Sequence, residues 1–171
     1  MKTSDLTRLG IITSLGLILF VLESLAPRPL PWMKVGLGNS AVLVALILFG
    51  PVQAIAVSVV KILAGSLMIG SIGSPAFVIG GGAGMASVSV MALLHRSLPG
   101  LFSTVGLSVA GAVVHQFAQL ALAFVYIGHG ALFSYVPIFA ISGLISGTLI
   151  GLVVHFCLAQ IGKLGWMRNG G

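Results

Sequence analysis

Six apolar runs, each closed by proline, glycine or charge, make up most of this chain. A helix that crosses a bilayer needs roughly 20 apolar residues. The punctuation predicts helices over 9–26, 35–50, 52–70, 76–95, 103–127 and 131–161. The first follows a short polar start and stops at Pro27-Arg28-Pro29-Leu30-Pro31, where three prolines forbid continued helix. Gly50-Pro51 separates the second run from the third, and Ser71 to Pro75 separates the third from the fourth. His95 to Gly100 reads as a loop, and Gly128-His129-Gly130 turns the fifth run into the sixth. Pro137 falls near the start of the last helix, where its bend is least costly. The second run is short for a full crossing, so tilt or local bilayer thinning must absorb the mismatch. The pattern predicts an all-α, polytopic integral membrane protein, with six transmembrane helices in a single membrane domain over 1–171.

Composition supports that reading and narrows the chemistry. The chain is 58% hydrophobic and 6% charged, against about 25% charged in an average soluble domain, and its mean hydropathy is +1.20. These values exclude a soluble enzyme. The net charge of +6 comes without any Lys/Arg cluster able to track phosphates, so no nucleic-acid partner is expected. Asp5 and Glu23 are the two acids, too few for a carboxylate metal cage or paired-carboxylate catalysis. Cys157 stands alone, and the histidines lack metal-ligand spacing, so neither a metal nor a cofactor is expected. A Walker A sequence is absent; transport powered by ATP would need a partner to supply the power.

Orientation follows the excess of cytosolic cations. With the N-terminus inside, Lys2, Arg8, Arg96, Lys163 and Arg168 lie inside, while Arg28 and Lys34 lie outside. Both termini are therefore expected in the cytoplasm of a multi-pass protein of the inner (plasma) membrane.

Glycine makes up 24 of 171 residues, about twice the usual share. Gly143, Gly147 and Gly151 repeat at four-residue intervals, as do Gly80 with Gly84 and Gly106 with Ala110. Such ridges let helix backbones approach closely, and holding the monomer together is their first expected role. Gly10 and Ser14, near the start of the first helix, form the candidate surface for a partner subunit.

Ionisable and amide groups inside a membrane are costly, so each is a functional candidate. Glu23 lies near the outer end of the first helix and Lys61 about midway along the third. They could pair, Lys61 could snorkel to the interface, or both could serve a ligand. Arg28, Trp32 and Lys34 precede Gly36-Leu37-Gly38-Asn39. They suit an interfacial anchor, or a lid whose cations and Asn39 receive an anionic group at the mouth of the second helix. His115, Gln116 and Gln119 must face protein or a water-filled cavity. His155 reads as interfacial, and His95 and His129 as loop residues.

Four segments carry a resemblance. They are Val35 to Leu43 after the proline-rich loop, Ala64-Gly65-Ser66-Leu67, Gly73-Ser74-Pro75-Ala76-Phe77, and Gly111 to Gln116. From about residue 9 to 155 the chain resembles the Gx transporter family, also labelled heptaprenyl diphosphate synthase component I. That family is similar to the S components of energy-coupling factor (ECF) transporters. The resemblance implies six helices, cytoplasmic termini and capture of a micronutrient such as a vitamin. It places the ligand under the loop joining the first two helices, recruiting Arg28, Lys34, Asn39, His115 and Gln119. It also implies docking on an ECF-type coupling protein driven by two ATPases, through a small-residue face for which Gly10 and Ser14 are the nearest equivalent. The synthase label implies a different role, because prenyl-diphosphate synthases hold Mg²⁺ with aspartate-rich motifs and Asp5 is the one aspartate here. Two readings follow: a non-enzymatic, substrate-binding transport subunit, or an accessory subunit of an isoprenoid or flavin-linked redox system.

Overall fold

The computed structural model describes residues 3–26 and 35–163. Six α-helices follow in order: α1 (Thr3–Leu25), α2 (Asn39–Phe49), α3 (Pro51–Met68), α4 (Pro75–Ser97), α5 (Thr104–Ile127) and α6 (Val136–Lys163). A 3-10 helix, Gly130–Tyr135, leads into α6. The all-helical, multi-pass character is as the pattern predicts.

Local chemistry sets the boundaries. Pro51 and Pro75 open α3 and α4, where a missing N–H costs nothing and φ is already helical. The Ser74 hydroxyl accepts the Phe77 N–H at 3.2 Å, and the Ser103 hydroxyl accepts the Gly106 N–H at 3.1 Å. Both are N-caps. Gly128, at φ +70°, closes α5, a conformation costly for a residue with a Cβ. Pro137 falls in the first turn of α6, as expected.

Several expected bounds move. Helix α1 begins at Thr3 instead of 9, with Asp5 in its first turn, where a negative charge favours the helix. His95 belongs to the last turn of α4 and not to a loop. The largest change is α2, which begins at Asn39 instead of 35 and has 11 residues, about 16 Å at the usual rise. Five helices are long and apolar enough to cross a membrane, and α2 is a shorter apolar sixth. The expected sixth full crossing is thus a half-length helix, because Gly36 at φ +91° holds residues 35–38 out of helix.

This short helix is the hub of the bundle, packed against α1, α3, α4, α5 and α6. Its sequence is apolar all round, and Ala41, Val42, Leu43, Ala45 and Leu46 are buried in near succession, the mark of a helix enclosed by protein. Gly16 makes the close approach possible, since a Cβ there would lie 2.7 Å from Ala41 Cβ. One apolar core forms around α2 with Val57, Val88, Met91, Leu107, Ile150 and Val154. A second gathers Ile79, Leu120, Ala123, Leu132 and Phe139.

The Gly143–Gly147–Gly151 ridge is internal and seats α6 on α5. A Cβ on Gly147 or Gly151 would lie 2.7 Å from the Cα of Val109 or Val105. Backbone cannot step aside as a flexible side chain can. His155 does not continue this buried line: it is exposed, and Val154 and Leu158 take the inward positions. Gly147→Leu is expected to destabilise the bundle by about 1–3 kcal/mol, the usual cost of overpacking, read as a lowered Tm in detergent. Gly10→Leu, where a Cβ meets nothing within 4 Å, should leave Tm at or above the wild-type value. Equal losses in the two variants would refute the assignment of the ridge.

Candidate functional site: a buried polar cluster

The hairpin of α2 and α3 turns at Gly50, and Asn39 and Lys61 each lie 11 residues from it. Equal arms bring the two side chains to the same level, and Lys61 Nζ donates to Asn39 Oδ1 at 2.5 Å. Lys61 is 3% exposed, so it does not snorkel. Its stem runs beside Gly38, where an added Cβ would come 3.1 Å from Lys61 Cδ and from the Gly16 carbonyl oxygen. Gly16 and Gly38 thus leave the slot through which the lysine reaches inward.

Glu23 closes the other side. The Gly36 N–H donates to its Oε1 at 2.5 Å and the Leu37 N–H donates to its Oε2 at 3.0 Å. Gly38, which caps α2, brings no side-chain bond of its own. The carboxylate of α1 therefore satisfies backbone donors just ahead of α2 and sits near the positive end of its dipole. Glu23 thus supplies a carboxylate at the mouth of the second helix.

Helix α5 contributes the third wall. Ser108, Gly111, His115, Gln116 and Gln119 are all buried, so its polar face points inward as the membrane environment requires. The Ser87 hydroxyl donates to the Gly111 carbonyl at 2.8 Å, tying α4 to α5. Along α5, His115 falls between Leu107 of the first apolar core and Leu120 of the second.

Two small chambers meet at Gly36, Asn39 and His115. One is bounded also by Ser87, Ser108 and Met91, the other by Glu23, Lys61, Phe20 and Gly84. Each holds about 20 Å³, room for a water molecule. Gln119, with 0% exposure, lies one turn beyond His115, and neither amide atom has a hydrogen-bond partner among the described residues. Leaving such a group unsatisfied costs about 1–3 kcal/mol, which singles Gln119 out from ordinary core residues.

Of the predicted site residues, Glu23, Asn39, Lys61 and His115 converge on one chamber. Gln119 is buried nearby on α5 but does not line it. Arg28 and Lys34, with Trp32, lie outside the described residues. Gly10 and Ser14 share an exposed face of α1. Sequence reasoning missed Ser87, Ser108 and the backbone of Gly36. Ser108 was findable, since 108, 111, 115 and 119 fall on one helical stripe. Ser87 carried no such signal. His129 has a local duty: its Nδ1 accepts the Ala131 N–H at 3.3 Å and caps the 3-10 helix.

A sequence model described as heptaprenyl diphosphate synthase component I matches residues 12–157. The chain belongs to that family. The matched segment contains every residue of the polar cluster. No curated protein and no solved structure matches the chain.

Glu23→Gln replaces one of two carboxylate acceptors with an amide donor facing a backbone N–H. The 35–38 segment is then expected to loosen, with amide exchange at Gly36 and Leu37 accelerating at least tenfold, about 1.4 kcal/mol or more, in line with a lost charge-assisted bond. Exchange within α5 and α6 should stay at wild-type values. Unchanged exchange at Gly36 and Leu37 would show that Glu23 does not hold the segment.

Proposed function

We propose that this family member is a membrane-embedded, S-component-like binding subunit that captures a small ligand for uptake across the inner (plasma) membrane. The observation that carries the reading is the convergence of Glu23, Asn39, Lys61 and His115 at the end of a half-length helix inside an otherwise apolar bundle. Interrupted helices are a recurring way to present polar groups to a substrate. Irregular backbone inside a membrane protein is tolerated where it lines a cavity or is buried in protein. Gln119, with its buried amide, is an additional candidate ligand contact. The chain's chemistry is binding and not catalysis, and an ECF-type coupling protein with two ATPases would supply the energy, docking on the exposed Gly10–Ser14 face of α1.

A second reading is favoured by the family description itself, since a component I implies a second component. There the chain would be a non-catalytic membrane partner of an isoprenoid or redox enzyme.

Native mass spectrometry of the tagged protein, extracted gently from its host membrane, separates the two. The capture reading expects a bound small molecule that is lost from Asn39→Ala and His115→Ala variants with wild-type helicity. A wild-type chain without any small molecule, held in fixed ratio to a soluble synthase, would overturn it and establish the accessory role.

A further inference from the structure

The two chambers that meet at Gly36, Asn39 and His115 hold about 20 Å³ each, far below the roughly 300–1,000 Å³ of ordinary ligand sites. A single water molecule needs roughly 10–15 Å³ and about two to four polar partners. The chambers therefore suit one heavy atom with its hydrogens, and their walls decide its chemistry. A larger groove of about 310 Å³, between α3 and α4, is lined by Val59, Ile62, Leu63, Gly81, Gly82 and further apolar residues. It offers no polar side chain, and the small chambers differ from it in that respect above all.

The first chamber lies among Glu23, Asn39, Lys61 and His115. The Gly36 and Leu37 N–H groups take two of the roughly four acceptor positions of the Glu23 carboxylate, so it can accept more. Glu23 and Lys61 face the same space, and an ion of either sign would meet a like charge in the wall. A neutral molecule that both donates and accepts meets no such penalty. The second chamber has uncharged polar walls in Asn39, Ser87, Ser108 and His115. The Ser87 hydroxyl gives its proton to the Gly111 carbonyl at 2.8 Å, and its oxygen can still accept. Ser87, Ser108 and His115 are buried, away from bulk water.

We infer that each chamber is a built site for one ordered water molecule, and that the two waters complete the hydrogen bonding of the polar cluster. The walls of the pair draw on all six helices: Glu23 from α1, Asn39 from α2, Lys61 from α3, Ser87 from α4, His115 from α5 and Ile150 from α6. His115 borders both sites, so its imidazole stands between the two waters. A bridging water turns its donors and acceptors to suit its surroundings, and it joins polar groups that lie beyond direct reach of one another. Dry cavities are the apolar ones, and neither chamber is apolar. Both functional readings are compatible with these waters.

X-ray radiolysis of the full chain in lipid nanodiscs tests this. Hydroxyl radicals formed from a bound water oxidise the side chains beside it even where bulk water is excluded. Phe20 lines the first chamber and Met91 the second, at 9% and 2% exposure, whereas Phe139, at 0%, lines neither. Rates are read by mass spectrometry and corrected for the intrinsic reactivity of each residue type. Phe20 and Met91 are expected to oxidise at least tenfold faster than Phe139. Ser108→Val puts two methyl groups where a hydroxyl stood in the second chamber. In that variant Met91 oxidation should fall at least fivefold, with Phe20 oxidation within about twofold of wild type and helicity unchanged. Either residue oxidising no faster than Phe139 in the wild type would overturn the inference, as would undiminished Met91 oxidation in Ser108→Val. Where Ser108→Val fails to fold, the wild-type comparison decides alone.

Discussion

A backbone N–H buried in a membrane protein must find an acceptor within the protein, because lipid offers none. In this bundle the constraint bears hardest on residues 35–38, which Gly36 keeps out of helix. Glu23 meets it by accepting two successive backbone donors from the adjoining helix. The consequences run through the molecule. With its start so held, α2 can be half the usual length and still sit at the centre, and Asn39 arrives opposite Lys61. Glu23, Lys61 and His115 then share one small polar space with Asn39.

The glycines matter because the polar groups need tight surroundings. On the α5–α6 side, three glycines bring backbone against backbone, so the inward face of α5 is fixed and His115 and Gln119 cannot rotate towards lipid. On the α1–α2 side, Gly16 and Gly38 serve the same end at a smaller scale, by making space for a lysine stem. Between α3 and α4 the packing is looser. There Gly81 and Gly82 face a groove that remains open.

Much of this was legible from residue types alone. Glu23, Lys61, His115 and Gln119 stood out because ionisable and amide groups are rare among so many apolar neighbours. Asn39 drew attention through its place after the glycine-rich turn. The Glu23–Lys61 relation was open to several readings, and its setting was not visible: Glu23 accepts two backbone N–H groups, Lys61 donates to Asn39, and both face one chamber. Gly10 and Ser14 were recognisable as a small pair on α1. Their exposure had to be seen in three dimensions, since small-residue pairs look alike whether they hold a monomer together or lie open.

The sequence by itself determined the solvent, the secondary structure and the approximate position of every helix. These depend on local quantities: hydropathy over about 20 residues, proline and glycine punctuation, and capping hydroxyls. It also determined that the buried polar groups needed partners. Which partners they found was decided by the tertiary structure alone. The length of α2, the match of Asn39 to Lys61 and the capture of two backbone donors by Glu23 each join segments distant in the chain. Their geometry follows from how closely glycine faces let the helices approach, a property of the assembled bundle that no single segment carries.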